Sequence, residues 1–173
     1  MLGRRRAESP LWLDLLFGAA AGALGALVMS PAMSAIEKLQ SPSDRRREDD
    51  ADYEENAPTR AAREVARPLG VRLENPEAAG MAVHYAYGTA WGIAYAMITR
   101  RFGSIPLLSG IVLGVALWAI GDEILVPALR LAPKATEYPV TTHVKALGGH
   151  VAYGAGLDTA FRLLGTAARP LIH

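Results

Sequence analysis

Residues 15–36 read LLFGAAAGALGALVMSPAMSAI, twenty-two positions without a charge, bounded by Asp14 and Glu37. As a helix this run is about 33 Å long at 1.5 Å per residue, enough to cross a hydrocarbon core of about 30 Å. A water-soluble helix of that length shows a polar stripe, and this one shows none. Two more runs behave alike. Residues 78–99 hold 22 positions without an acid, Lys or Arg, with His84 inside, and residues 102–121 hold 20. A fourth, 146–157, stops after 12 residues at Asp158. It extends to about Gly165 if Asp158 is held in a helix interface and Arg162 reaches outward to water.

The expected fold class is therefore all-α: a polytopic membrane protein forming one membrane domain. Its four transmembrane helices fall at about 11–36, 78–99, 105–129 and 145–165. A soluble helical core, or three spans plus a re-entrant C-terminal segment, are the competing readings. Arg4-Arg5-Arg6 and Ser30-Pro31-Ala32 resemble parts of a signal peptide. The apolar stretch is longer than the usual h-region, so a retained anchor is expected.

Average composition hides this pattern. Across 173 residues, 18 Lys+Arg balance 17 Asp+Glu, giving a net charge of +1, and there is no cysteine. Near-neutrality argues against a nucleic-acid partner held by a basic field. The missing cysteines exclude disulfides, thiolate metal sites and cysteine nucleophiles. Ten of the acids and seven of the basic residues lie between Asp44 and Glu77. The 41–77 segment is expected to be a polar loop outside the membrane. Its first half (Arg45-Arg46-Arg47-Glu48-Asp49-Asp50) is too charged to build a core and is expected to be solvated or disordered. Thr59 is expected to cap a short amphipathic helix at about 60–67, with Ala62, Val65, Ala66 and Leu69 along an apolar edge at the membrane surface.

Orientation follows from the short flanks. Arg4–Arg6, Arg100-Arg101, Arg162 and Arg169 all fall on one side of a four-span chain, which makes that side cytoplasmic with both termini inside. The expected location is the bacterial inner membrane.

The chain also reads as two helical hairpins in a parallel repeat. With an offset of 96, Gly18 meets Gly114, Gly25 meets Gly121 and Pro31 meets Pro127, and with an offset of 66, His84-Tyr85-Ala86-Tyr87-Gly88 meets His150-Val151-Ala152-Tyr153-Gly154. The pairs Gly18/Gly22, Gly88/Gly92 and Gly110/Gly114 place glycines on single helix faces. Lipid gives no hydrophobic force between helices, so association relies on such close approach. The same faces serve packing within one bundle or a homo-oligomer interface. Pro31 and Pro127 are expected to kink or end their helices.

His84, Asp122, Glu123 and His150 are the chemically notable residues. If the spans centre near 88, 118 and 155, all four lie about 6–8 Å outward of the midplane. Ionisable groups at that depth are costly, usually face the bundle interior, and are candidates for function. They could glue helices together, conduct protons or ions, or ligate a metal. Asp122 and Glu123 point about 100° apart on an α-helix, so they are not expected to face one site equally. His143 lies on the face of His150, towards the water interface. Asp14 and Asp158 are expected to pair with Arg101 or Arg162. No phosphate loop, nucleophile elbow or zinc-protease helix is present, so no catalytic residue, cofactor or bound metal is expected.

From His84 onward the order of residues resembles the YagU-like inner-membrane family. It rests on His84 and the Gly/Ala/Tyr-rich stretch to Tyr95, Gly110-x-x-x-Gly114, Trp118, Pro127, Leu131-Ala132-Pro133, Pro139 and Gly149-His150. The resemblance covers about half the chain, and the charged insert at 44–55 departs from it. It implies a bacterial inner-membrane protein and carries over no catalytic residue. The leading expectation is a non-enzymatic scaffold or accessory protein, such as one in envelope stress. The alternative is an oligomeric transporter-like or ion-conducting protein acting through His84, Asp122, Glu123 and His150, and a metal-dependent intramembrane enzyme is third. The lipid bilayer is the expected partner.

Overall fold

A computed structural model describes residues 9–168, which form helices joined by turns, with no strand among them. Arg4–Arg6 and Arg169, used above for orientation, lie outside the described residues. The principal helices are α1 (Leu11–Glu37), α2 (Pro42–Ala51), α3 (Ala57–Ala66), α4 (Pro76–Phe102), α5 (Leu108–Ala128) and α6 (Val140–Ala167).

Local chemistry sets several of the ends. The Asn75 side chain accepts from the Ala78 amide at 2.9 Å, and Pro76 occupies the first helical position of α4, where its missing N–H costs nothing. Gly103, at φ 80°, ends that helix in a conformation open to glycine. Pro127 sits one residue from the end of α5. Pro31 does not end its helix, because α1 continues through it to Glu37.

The four long helices stand antiparallel to their neighbours in the ring order α4, α1, α6, α5. Glycines fix the closest crossings. A Cβ added at Gly22 would strike the Gly88 carbonyl, and one at Gly92 would lie 2.7 Å from the Gly22 Cα. In the second pair, Gly110 faces the Gly154 carbonyl and Gly114 faces that of His150. Gly18 and Gly22 thus occupy the places that Gly110 and Gly114 occupy in the other hairpin. The contacts correspond at an offset of 92, one helical turn from the 96 that best matches the residues.

Between the hairpins, Gly25 of α1 receives the Tyr153 ring of α6, while Gly121 of α5 faces the Tyr87 hydroxyl of α4 at 3.7 Å from a built Cβ. Here the matching by 96 and 66 residues does hold, with each tyrosine set against the other hairpin's glycine.

The interior is made of small and aromatic residues, with Ala21, Ala26 and Ala96 beside Tyr95, Tyr153, Leu157 and Phe161. The large aliphatics point outward: Leu16, Leu24, Leu27, Met97, Val112 and Ile124 are all exposed. That inverts the usual distribution in water.

Two helices, α1 and α5, are long and apolar enough to cross a membrane by length and composition, where the sequence reading expects four. α4 and α6, with 27 and 28 residues, have the length. Their His, Tyr and Gly positions, together with Lys145 and Asp158 in α6, lower their apolarity, because a charge-free run is not necessarily an apolar one.

The charged half of the polar loop is ordered yet buries none of its residues, so it is solvated rather than disordered. Residues 42–51 form α2, with Ser41 accepting from the Asp44 amide at 3.1 Å as its cap. α3 does form, one turn earlier than expected and capped by Asn56 rather than Thr59. Thr59, Ala62 and Ala66 are buried. Thr59 meets α4 at Gly80, where any side chain would collide with it. Val65 and Leu69 face outward, so the expected apolar edge divides between the two sides of the helix.

Candidate functional site

Polar side chains gather at both ends of the bundle. At the end that carries the 41–77 segment, the end expected to be the outer one, the second half of α5 is wound as a π-helix over Trp118–Leu125, carrying Asp122 and Glu123. Single π turns recur at functional sites because they re-aim side chains. The two acids here serve different partners. Glu123 meets His143 Nδ1 at 2.7 Å, while the other ring nitrogen lies 3.0 Å from the Ala135 carbonyl. A carbonyl only accepts, so the Ala135 contact is a hydrogen bond in the tautomer that carries its proton on Nε2. Asp122 approaches His150 Nδ1 at 3.5 Å, and that nitrogen donates to the Ala146 carbonyl at 3.0 Å. His150 is buried, and the Asp122 side chain is 37% exposed.

His84 joins neither pair. Its Nε2 lies 3.4 Å from the Ala26 carbonyl of α1, and its ring meets Tyr85 edge-on. The four residues expected to form one cluster are therefore three separate arrangements. Among the described residues no three His, Asp or Glu side chains converge as a metal ion would require.

The inner end is more completely built. Asp158 is 1% exposed. It accepts from Tyr95 Oη, from Arg162 Nε at 2.9 and 2.8 Å, and from the Leu107 amide at 2.7 Å. Arg162 also donates to Ser104 Oγ at 2.8 Å. α4, α6 and the turn before α5 are thereby tied to one carboxylate. The Leu107 amide reaches it through a strained turn: Leu107 has φ 62° and ψ −46°, and the Leu108 amide bonds back to Pro106 at 2.7 Å. Such γ-turns are rare for a non-glycine residue. Nearby, buried Asp14 pairs with Arg100, rather than with Arg101 or Arg162, and accepts from Ser9 Oγ at 2.7 Å.

Of this inner site, the sequence reading expected only the Asp158–Arg162 pairing. Tyr95 was legible as a polar residue in the inner half of an apolar run. The Leu107 amide leaves no trace in composition, because its role comes from backbone geometry.

A third cluster fastens the loop to the bundle. Glu48 of α2 accepts from Gln40 Nε2 and Thr142 Oγ1, each at 2.8 Å, and pairs with Lys145 of α6. Burial alone would raise its pKa, but the hydrogen bonds from Lys145, Gln40 and Thr142, with the Lys145 charge, hold it below the ordinary carboxylate value. Tyr138 donates to Asp52 at 2.9 Å. Burial and that carboxylate push its hydroxyl pKa up. Arg60 reaches the Arg130 carbonyl at 3.1 Å.

The family model for a protein of unknown function, DUF1440, matches residues 71–159. No curated protein and no solved structure matches the chain. The match spans half of the chain, and the chain belongs to that family.

Proposed function

We propose that this member of the DUF1440 family is a small integral inner-membrane protein of the YagU-like kind, with a non-enzymatic scaffold or accessory role. On this reading it has four spans in a parallel repeat of two hairpins, and its 41–77 loop lies outside. The inverted packing carries the reading. Small residues and paired polar groups fill the interior, while large aliphatics cover the outside. In water that surface would be a severe aggregation liability, whereas in lipid it is the solvated face.

Each interior ionisable group has a protein partner, which suits glue between helices. Asp158 alone gathers donors from α4, α6 and the turn before α5. The residues that carry the YagU-like resemblance, His84 to Gly149-His150, all fall within the matched 71–159 segment. Arg100 and Arg101 at the inner turn favour a cytoplasmic inner end.

One observation favours the alternative, an ion-conducting oligomer. The π-helix sets Asp122 and Glu123 at the outer end, each partly exposed. A proteoliposome proton-flux assay of wild type beside Asp122→Asn and Glu123→Gln separates the two. The scaffold reading expects equal, background flux in all three. Flux well above background in wild type that falls in either variant would replace it with the conducting reading.

A further inference from the structure

The ring of four helices has three tight seams and one loose one. α1 packs closely on α4 and on α6, and α6 packs closely on α5, whereas α4 and α5 do not meet backbone to backbone. The loose seam is the counterpart of a tight one. Exchanging α1 with α5 and α4 with α6 turns the α1/α6 seam into the α5/α4 seam. In the tight seam Tyr153 is 3% exposed, lies against Gly25, and donates to the Gly88 carbonyl at 2.7 Å. In the loose seam its counterpart Tyr87 is 48% exposed, and only its hydroxyl, 3.7 Å from a Cβ built on Gly121, reaches the glycine opposite, whereas the Tyr153 ring lies 3.0 Å from one built on Gly25. A cavity of about 90 Å³ lies between α4 and α5, lined by Tyr87, Trp91, Leu113, Leu117, Ile120 and Gly121 among others.

We propose that the α4/α5 seam is a binding site for a single lipid acyl chain, which enters sideways from the bilayer and lies along Gly121 between the two helices. This rests on the membrane reading given above. The lining is hydrocarbon and aromatic, with the Tyr87 hydroxyl as its polar exception, so water gains too few partners to settle there. The volume is below the roughly 150 Å³ that admits a benzene-sized ring, so a compact ligand does not fit but a section of a chain does. Ile120 both lines the cavity and is exposed, and Val112, Val115 and Ile124 of the same helix are exposed as well, so a chain reaches the seam over an apolar surface. The π-helix forms the α5 wall around Gly121, while the corresponding stretch of α1 is regular α-helix. The hairpins therefore differ where one seam is closed and the other open.

The test is photolabelling in nanodiscs of phosphatidylethanolamine and phosphatidylglycerol containing a trace of a phospholipid with a diazirine near its acyl terminus. Adducts are mapped by mass spectrometry. The expected result is several-fold more adduct at Trp91, Leu113 and Ile120 than at Leu24 and Met97, which are exposed on other faces of the bundle. Gly121→Leu, and separately Ala116→Leu, should reduce seam labelling to the level of those controls while leaving Leu24 and Met97 labelling unchanged. Equal labelling at seam and control positions would overturn the site. So would rapid, complete intramolecular disulfide formation in lipid by a Tyr87→Cys/Gly121→Cys pair, since the seam would then close on itself; a disulfide between copies would assign it to a dimer. If Leu24 and Met97 also go unlabelled, the membrane reading has failed, a different outcome from failure of the seam alone.

Discussion

Replacing Gly92 with alanine tests the packing account at one of its closest helix crossings. The new Cβ would lie 2.7 Å from the Gly22 Cα and 2.8 Å from the Gly22 nitrogen, where ordinary contact begins at 3.4 Å. Its obstacles are backbone atoms of α1, not the end of a flexible side chain, so no rotamer change relieves the clash. The helices must separate, which loosens the contacts on both sides of the crossing. Overpacking of this kind costs about 1–3 kcal/mol. Alanine offsets about 1 kcal/mol through its better helix propensity, leaving a net loss of up to about 2 kcal/mol. Gly156→Ala is the matched control. Its Cβ would meet nothing closer than 3.6 Å, so the propensity gain stands alone and the variant should be neutral or slightly stabilised. Reversible unfolding in mixed micelles, followed by tryptophan fluorescence, measures the difference, and Trp91 lies one residue from the crossing. If the two variants shift the midpoint equally, the glycine faces do not set the helix spacing and the reasoning is refuted.

Asp158→Asn should destabilise the bundle by about 3 kcal/mol, since it leaves Arg162 and the Leu107 amide poorly matched. The same unfolding assay reads this, and Tyr95→Phe should cost less because it removes one neutral donor. Leu107→Gly should be neutral or stabilising by about 1 kcal/mol: the left-handed strain is relieved, the amide to Asp158 is kept, and the lost side chain is half exposed. Glu48 titrates below its ordinary value of 4.5, so its contribution is complete above that pH and is lost as pH falls through its lowered value. Hydrogen exchange of residues 42–51, corrected for intrinsic rates, should therefore accelerate only below about pH 4.5. In Glu48→Gln it should already be fast at neutral pH. Slow exchange in that variant would show that α2 is held by something other than Glu48.

Much of the architecture was readable because the decisive signal is local. A charge-free run long enough to span, such as 15–36, declares a helix whatever surrounds it. The glycine faces were readable for the same reason, since residues four apart share a face on any helix. Contacts between distant segments were not. The Glu48 side chain sits in a run that looks too charged to fold, and only its approach to Thr142 and Lys145 makes α2 worth ordering. The π-helix that carries Asp122 and Glu123 has no compositional mark. Four polar residues at similar estimated depth suggested one cluster, but depth ignores rotation about the helix axis, and His84 turns towards Ala26 instead. The correspondence between hairpins was visible in the residues, although the one-turn slip in their glycine contacts was not.

The central claim is that lipid covers the outward aliphatic faces. The chain has no native cysteine, so single cysteines report without background. Labelling with a membrane-impermeant maleimide in intact and permeabilised cells should leave cysteine at Leu24, Met97 or Val112 unreactive in both, while cysteine at Arg47 in the loop reacts. Reaction at Leu24, Met97 and Val112 as fast as at Arg47 would place those faces in water and contradict the account.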